Sequence, residues 1–586
     1  MYSEITSVQV LISLMKKFGI CDVVLSPGGS DIPLIHSIET DNFFNCFSVV
    51  DERSAAYYAM GVAQQNNRPC ACICTSGTAV CNYVPGITEA YYQNVPVLAI
   101  TADKNPYFQD QLETQKINQL HIFDGVVKKS VDLPLIKSED DHWLCNRLIN
   151  EALLELSHHG TGPVQINIPI VGRTDVYNCL QLPDERQILF PNLLTIDWQY
   201  YARQLYNKRI MIVVGQNIVF SEEDIKNCKR FFDVTNCFYA VEHLSNFNIE
   251  GSINTYPFTE TKLNSSCKEL LPDIILSIGN NLSAYQLKPF LRNHHKTMEN
   301  WYVSETGVIR DAYMSLTTVF ECSPSYFFKN IIHYLENNLN NHSFYNEWKK
   351  NVDCILNPTF TFSNFYVAKK LAKIIPPNSI LHTAILNSTR IMQFFDLAEN
   401  VTCYSNVGAL GIDGCFSSFA GQAAVTNGFA YLIIGDLSFF YDMNAAGLRS
   451  IGSNVRVILL NNGGGSEFQF FMGKERIPTI NNYICAEHDK VATGWIKSLD
   501  YDYYIATSME EFDNVIEKFG KPSEKPMFLE VITDMEEDAD KTNAFYDKYR
   551  NSNKTLSSSI KESVSNHMSE KNVDKIKKIL KILKEK

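Results

Sequence analysis

Gly435-Asp436-Leu437-Ser438 and, further on, Asn461-Asn462-Gly463-Gly464-Gly465 are the stretches that decide the fold. The apolar run 430–435 leads straight into Asp436, and a second apolar run, 455–461, leads into Asn462. A helix is predicted between them from about Asn444. Strand, helix and strand in this rhythm make a βαβ unit in a parallel sheet, and both motifs then sit at carboxyl ends of neighbouring strands, where open α/β sheets bind ligands.

The same rhythm extends outward in both directions. Strands are predicted at 380–383, 401–405 and 526–531 in the same series, which opens near residue 360. Upstream, 21–26, 46–50, 70–75, 95–102 and 164–168 form a first series, and 209–215, 238–241, 274–279 and 301–304 a second. A polar stretch, 181–198, separates these two, and an Asn-rich segment, 336–346, precedes the third. The expected fold is α/β, with three doubly wound parallel-sheet domains at 1–180, 190–345 and 360–545. Residues 546–586 read as a polar linker containing Ser557-Ser558-Ser559, then a basic helix with Ile576, Ile579, Leu580 and Leu583 on one face. The three series share no evident sequence period.

Composition narrows the function classes. With 586 residues the chain is long enough for several cores, and 45% apolar with 20% charged residues is an ordinary globular balance. A net charge of -13 disfavours a nucleic-acid surface, which must neutralise phosphates with Lys and Arg. Glu4 early and Lys16-Lys17 late reverse the order of a signal peptide, and no run reaches the roughly 20 apolar residues of a membrane span. A cytoplasmic protein is expected, its sixteen cysteines reduced, with Cys70, Cys72 and Cys74 packed on one face of a strand.

A diphosphate at such strand ends needs backbone N–H donors from small residues and a hard divalent cation, which takes oxygen ligands. Asp436, the amide oxygen of Asn462 and the carbonyl of Gly464 supply that set. An aspartate opening a turn and an Asn-Gly loop are each commonplace alone; the pair at this spacing is not. It resembles the diphosphate-binding signature of thiamine diphosphate enzymes. The form Gly-Asp-Leu-Ser, with Phe440-Tyr441-Asp442-Met443-Asn444 after it, is similar to 2-succinyl-5-enolpyruvyl-6-hydroxy-3-cyclohexene-1-carboxylate synthase of the menaquinone pathway. Ser26-Pro27-Gly28, Asp51-Glu52-Arg53-Ser54, Thr75-Ser76-Gly77-Thr78-Ala79, Thr101-Ala102-Asp103, Asn387-Ser388 and Gly411-Ile412-Asp413-Gly414 carry the resemblance across both ends of the chain.

The resemblance implies thiamine diphosphate and Mg2+ as cofactors, with Asp436, Asn462 and Gly464 on the metal. It implies that Glu52 binds the aminopyrimidine ring, whose imino tautomer then takes the thiazolium proton, and that Ile412 supports the bent cofactor. Ser26, Pro27, Gly28, Thr75, Gly77, Ser388, Gly411, Gly435, Leu437, Ser438 and Phe468 are the further cofactor contacts it implies. In this superfamily the ring-binding domain of one subunit faces the diphosphate-binding domain of its partner, so a homodimer or homotetramer is expected.

The substrate side departs from the family. Its arginines read Ser30, Lys104, Met392 and Val407 here, leaving Gly29, Ser30, Lys104, Gln115, Lys288 and Arg390 as candidate substrate contacts. Arginine is the natural bidentate partner of a carboxylate, so this pocket is expected to take a different 2-oxo acid. The expected activity is decarboxylation of a 2-oxo acid with transfer of the acyl unit to an acceptor. The alternatives are a simple 2-oxo acid decarboxylase and a catalytically silent subunit. Val213-Val214-Gly215-Gln216 lacks a glycine-rich fingerprint, which speaks against a flavin dinucleotide.

Overall fold

A computed structural model of the chain describes residues 1–216, 220–335, 340–355, 360–472 and 479–550, with the side chains of 470–472 excepted. The segment expected to form a basic helix, 571–586, lies outside the described residues. The described chain clusters into two compact units: Met1–Ile196 with Thr306–Glu321, and Asp197–Glu305 with the chain from Cys322 onward.

Three six-stranded sheets organise these units. The first contains β1 (Asp22–Leu25), β2 (Asn45–Ser48), β3 (Cys70–Cys74), β4 (Val97–Asp103), β5 (Lys129–Asp132) and β6 (Val164–Pro169), ordered β2-β1-β3-β4-β6-β5. The second contains β7 (Ile210–Val214), β8 (Cys237–Val241), β9 (Ser252–Asn254), β10 (Ile274–Ile278), β11 (Glu299–Val303) and β12 (Leu316–Phe320), ordered β12-β11-β10-β7-β8-β9. The third contains β13 (Ile380–Thr383), β14 (Thr402–Tyr404), β15 (Ala430–Gly435), β16 (Val455–Asn461), β17 (Asp502–Ala506) and β18 (Met527–Ile532), ordered β14-β13-β15-β16-β18-β17.

In the third sheet β13 pairs with β15, β15 with β16 and β16 with β18, all parallel. A parallel sheet is covered on both faces, so its strands are continuous apolar runs. β3, β4, β6 and β16 are buried at every residue. Cys70, Cys72 and Cys74 do share one face of β3, packed among Ala55, Ala59, Val80 and Tyr83, while Ala71 and Ile73 join the core on the other face.

The connection after β15 differs from expectation. The helix starts at Asp436 itself and ends at Tyr441, and Met443–Gly447 is a 3-10 turn, so no helix begins at Asn444. The cause is Asp442, whose carboxylate accepts bonds from the Ser417 backbone N–H and hydroxyl, both at 2.7 Å, and draws the chain out of helical geometry. At the far end, the helix Met535–Arg550 carries regular structure beyond residue 545.

Candidate functional site

The carboxyl ends of β15 and β16 hold a buried polar arrangement centred on Asp436. Asp436 is 3% exposed, at the first turn of the helix Asp436–Tyr441. Its Oδ2 accepts the backbone N–H groups of Asn462 (3.1 Å), Gly463 (2.8 Å) and Gly464 (3.0 Å), and its Oδ1 accepts that of Leu437 at 2.6 Å. Burial pushes the carboxyl up to about 6, although all four N–H groups favour its charged form. The loop can wrap the carboxylate this closely only through glycine. Gly464 has φ of +156°, and a Cβ there would lie 2.8 Å from the Cys485 carbonyl oxygen.

Asn462 donates through Nδ2 to Ser466 Oγ (3.1 Å), which leaves the amide oxygen as its acceptor end. A buried carboxylate raised in this way lacks positive charge. Asp436, Asn462 and Gly464 offer oxygen donors only, the set a hard divalent cation takes. The residues present therefore fit Mg2+, and the small-residue loop fits a diphosphate beside it.

Two residues that sequence reasoning passed over complete this arrangement. His488 has Nε2 3.6 Å from Asp436 Oδ2, and its Nδ1 accepts the Lys490 N–H, so the ring hydrogen faces the carboxylate. Burial, and then the charge of Lys490, lowers its pKa. Its backbone N–H holds the Gly463 carbonyl at 2.8 Å. Asp538 accepts the Asn364 N–H and the Thr533 hydroxyl beside Asn462. Neither carries a local signal, since both come from distant segments.

Of the remaining residues expected in this unit, Ser438 donates its hydroxyl to the Ile412 carbonyl at 2.8 Å, so it braces the loop that bears Ile412. Ser388 is buried in the helix Asn387–Met392, Gly411 adjoins Ile412, and Phe468 is 44% exposed against Gly465.

The first unit gathers the second set at the carboxyl ends of β1, β3 and β4. Gly28 lies so close to Thr75 that a Cβ on it would fall 2.3 Å from Thr75 Cβ. Ser26 is buried and its hydroxyl holds the Val49 carbonyl at 2.8 Å; Pro27 and Gly29 beside it are exposed. Ser30 donates its N–H to Thr75 Oγ1 at 3.1 Å, and its hydroxyl meets Ser76 Oγ at 3.0 Å. Gly77 donates its N–H to the buried Gln119, and Gln115 lies beside it. Glu52 opens the helix Glu52–Asn66, half-buried, with Asn82 Nδ2 3.2 Å from its Oε2. Asp31, another residue not anticipated in the site, is fully buried. Its Oδ1 takes the Gly28 N–H at 2.8 Å and its Oδ2 has no partner. Its carboxyl is pushed up to about 7, by burial above all and further by the charge of Glu52.

Comparison with known proteins places the chain in a family. Residues 5–122 match the family model for the thiamine pyrophosphate enzyme N-terminal TPP binding domain. The chain is 36% identical over 564 residues to the 2-succinyl-5-enolpyruvyl-6-hydroxy-3-cyclohexene-1-carboxylate synthase of Phocaeicola vulgatus, covering 94% of this chain and all of that one. It is 34% identical to the synthase of the same name from Bacteroides fragilis, with 94% and 100% covered, and 30% to that from Porphyromonas gingivalis, with 92% and 96% covered. The chain belongs to this synthase family of thiamine pyrophosphate enzymes.

In this thiamine pyrophosphate enzyme two of the candidate substrate groups, Lys104 and Arg390, already have carboxylate partners. Lys104 pairs with Glu113 at 3.1 Å. Lys288 and Arg390 line one cavity of about 280 Å³ with Arg292, Tyr285, Leu386 and Val407. Burial, and then the charge of Arg292, lowers the Lys288 pKa. Arg390 is buried, stacks its guanidinium on Tyr285 at 4.6 Å and forms an ion pair with the buried Glu467. Met392 and Val407 are core residues. Among the described residues, no helix is long and apolar enough to cross a membrane.

Proposed function

We propose that the chain is a thiamine diphosphate- and Mg2+-dependent carboligase that decarboxylates a 2-oxo acid and transfers the acyl unit to an acceptor. In this reading its substrates differ from those of its named relatives. Thiamine diphosphate, when bound, supplies the electron sink that permits loss of CO2. Asp436, Asn462 and the Gly464 carbonyl would hold Mg2+; the 462–464 N–H groups fix the Asp436 carboxylate for that task, and the small residues of the loop leave room for the diphosphate beside it. Glu52 would hold a proton on the aminopyrimidine ring, and Ile412 would support the bent cofactor. Self-association as a homodimer or homotetramer belongs to the same reading, and light scattering tests it.

The observation that carries the altered-substrate reading is the Arg390–Glu467 pair. Arg390 lines the pocket with Lys288 and Arg292, but its own charge is offset by Glu467, so Arg390 adds little to the binding of a multiply charged acid. The test is to supply thiamine diphosphate, Mg2+ and a panel of 2-oxo acids to the purified protein and to follow CO2 release. Acceptors are then screened with the active donor. Release of CO2 from a donor other than 2-oxoglutarate is expected. Conversion of 2-oxoglutarate and isochorismate at ordinary enzymatic rates would sink the altered-substrate reading. Glu52→Gln is expected to abolish turnover while thiamine diphosphate still binds.

A further inference from the structure

Two adjacent histidines follow the helix Glu139–Glu155, His159 with a left-handed φ of 51°. That turn aims both rings at one carboxylate belonging to the same unit. His158 Nε2 lies 2.8 Å from Glu321 Oε2 and His159 Nε2 lies 2.7 Å from Glu321 Oε1. The rings are stacked, 3.9 Å between centroids and 25° apart. His158 is largely buried against Phe190, Glu321 is about a quarter exposed, and His159 is open to solvent. The other nitrogen of His158, Nδ1, faces Glu155 Oε1 at 2.9 Å.

The electrostatics of this cluster are unusual. Both nitrogens of His158 face carboxylate oxygens, which only accept hydrogen bonds, so His158 either carries two protons, the form that Glu321 and Glu155 favour against the cost of burial, or shares its Nε2 lone pair with a cation. Double protonation stacks an imidazolium directly on the neighbouring imidazole. A cation at the Nε2 end leaves Nδ1–H on Glu155, the arrangement in which a second carboxylate fixes the tautomer of a metal-ligating histidine. Two imidazole nitrogens and one carboxylate suit a borderline transition ion such as Zn2+, with water completing the tetrahedron, and suit Mg2+ poorly.

We propose that His158, His159 and Glu321 form a transition-metal site of the Zn2+ type, with Glu155 as its outer carboxylate. The three ligand groups lie within 4.8 Å of one another. Ligation would require the stacked rings to open about their Nε2 ends, so that both in-plane lone pairs meet one ion at metal–nitrogen distances of about 2.0–2.1 Å; the exposed His159 is free to make that turn. The ion would staple the turn after the helix Glu139–Glu155 to the end of β12, two segments more than 160 residues apart in sequence. Its ligands differ in kind from the all-oxygen set at Asp436, so the two sites sort metals by chemistry.

The test uses the full chain, stripped with chelator and titrated with Zn2+ by calorimetry, with Co2+ as a spectroscopic probe. One equivalent of Zn2+ is expected at pH 7.5, with tetrahedral Co2+ bands that excess Mg2+ does not displace. His159→Ala, at a solvent-exposed position, and the double variant His158→Gln/His159→Gln are expected to lose those bands, and Glu155→Gln to weaken binding by about 10- to 100-fold. Circular dichroism without metal confirms that each variant folds. Zn2+ binding that His159→Ala and the double variant leave unchanged, or the absence of a stoichiometric site in the wild type, overturns the proposal.

Discussion

Replacing Asp436 by Asn separates what this residue does for folding from what it does for ligands. The carboxyl is raised from 3.8 to about 6 by burial. A group raised in the folded state contributes stability that is fully present below its unfolded pKa and is lost as pH rises through the folded one. Two pH units are worth about 3 kcal/mol. In metal-free protein, the ionised Asp436 should therefore cost about 1.6 kcal/mol at pH 5 and about 3 kcal/mol at pH 8. Asparagine keeps an oxygen for the N–H groups of Asn462, Gly463 and Gly464 but does not titrate. The stability difference between Asp436→Asn and wild type should thus shift by about 1.4 kcal/mol in favour of the variant between pH 5 and pH 8.

The assay is chemical denaturation of chelator-treated protein at the two pH values, followed by the same measurement with Mg2+ and thiamine diphosphate. Ligands should stabilise wild type and leave the variant unchanged, because mass action rewards only the state that binds. A stability difference that stays flat with pH would refute the assignment of a raised carboxyl to Asp436. Ligand-induced stabilisation of Asp436→Asn equal to that of wild type would refute its role on the metal.

Asp31→Asn should show the same sign over a wider window, because that carboxyl is pushed up to about 7: its advantage keeps growing between pH 6 and 7, where that of Asp436→Asn has begun to level off, in parallel denaturation series. Glu467→Gln leaves the buried Arg390 without its counter-charge and should destabilise the protein by about 3 to 5 kcal/mol, while succinate or 2-oxoglutarate binds at least tenfold tighter by calorimetry. If the dicarboxylates bind Glu467→Gln no better than wild type, the pair does not set substrate class. Gly28→Ala drives a methyl into Thr75 and should cost about 1–3 kcal/mol together with thiamine diphosphate affinity. Thr75→Gly in the same chain should restore the stability, as thermal unfolding would reveal.

Fold class was legible because buried parallel strands announce themselves as unbroken apolar runs, and the strands that escaped notice have a common cause. β5, β9, β12 and β17 are all edge strands. An edge strand is paired on one side only and carries polar residues: only Val131 is buried in β5, only Ile253 in β9 and only Ala506 in β17. In β12 two threonines interrupt the run. Sites divide in a similar way. Asp436 and Asn462 end recognisable strands, so topology places them. His488, Asp538, Glu467 and Asp31 depend on contacts that no local pattern encodes, such as the approach of Asp538 to Asn462 across 76 positions and of Glu467 to Arg390 across 77.

The strand orders explain why candidate site residues lie towards both ends of the chain. Counted from its own first strand, the third sheet reads 2-1-3-4-6-5, and so does the first, whereas the second reads 6-5-4-1-2-3. Corresponding strand ends carry corresponding parts of the site. β1 leads to Ser26 and Gly28 as β13 leads to Ser388, β3 to Thr75 and Gly77 as β15 to Asp436 and Ser438, and β4 to Lys104 as β16 to Asn462 and Gly464. The shared order puts a switch of winding direction beside the same strand in both sheets, so each opens a crevice at the same carboxyl ends. What differs is polarity. The first sheet offers hydroxyls, one close glycine and the carboxylates Glu52 and Asp31, suited to an uncharged ring. The third offers a buried carboxylate wrapped in backbone N–H groups, suited to a cation and an anion together. The shared strand order is invisible as a sequence period because the residues at the strand ends differ between the two sheets.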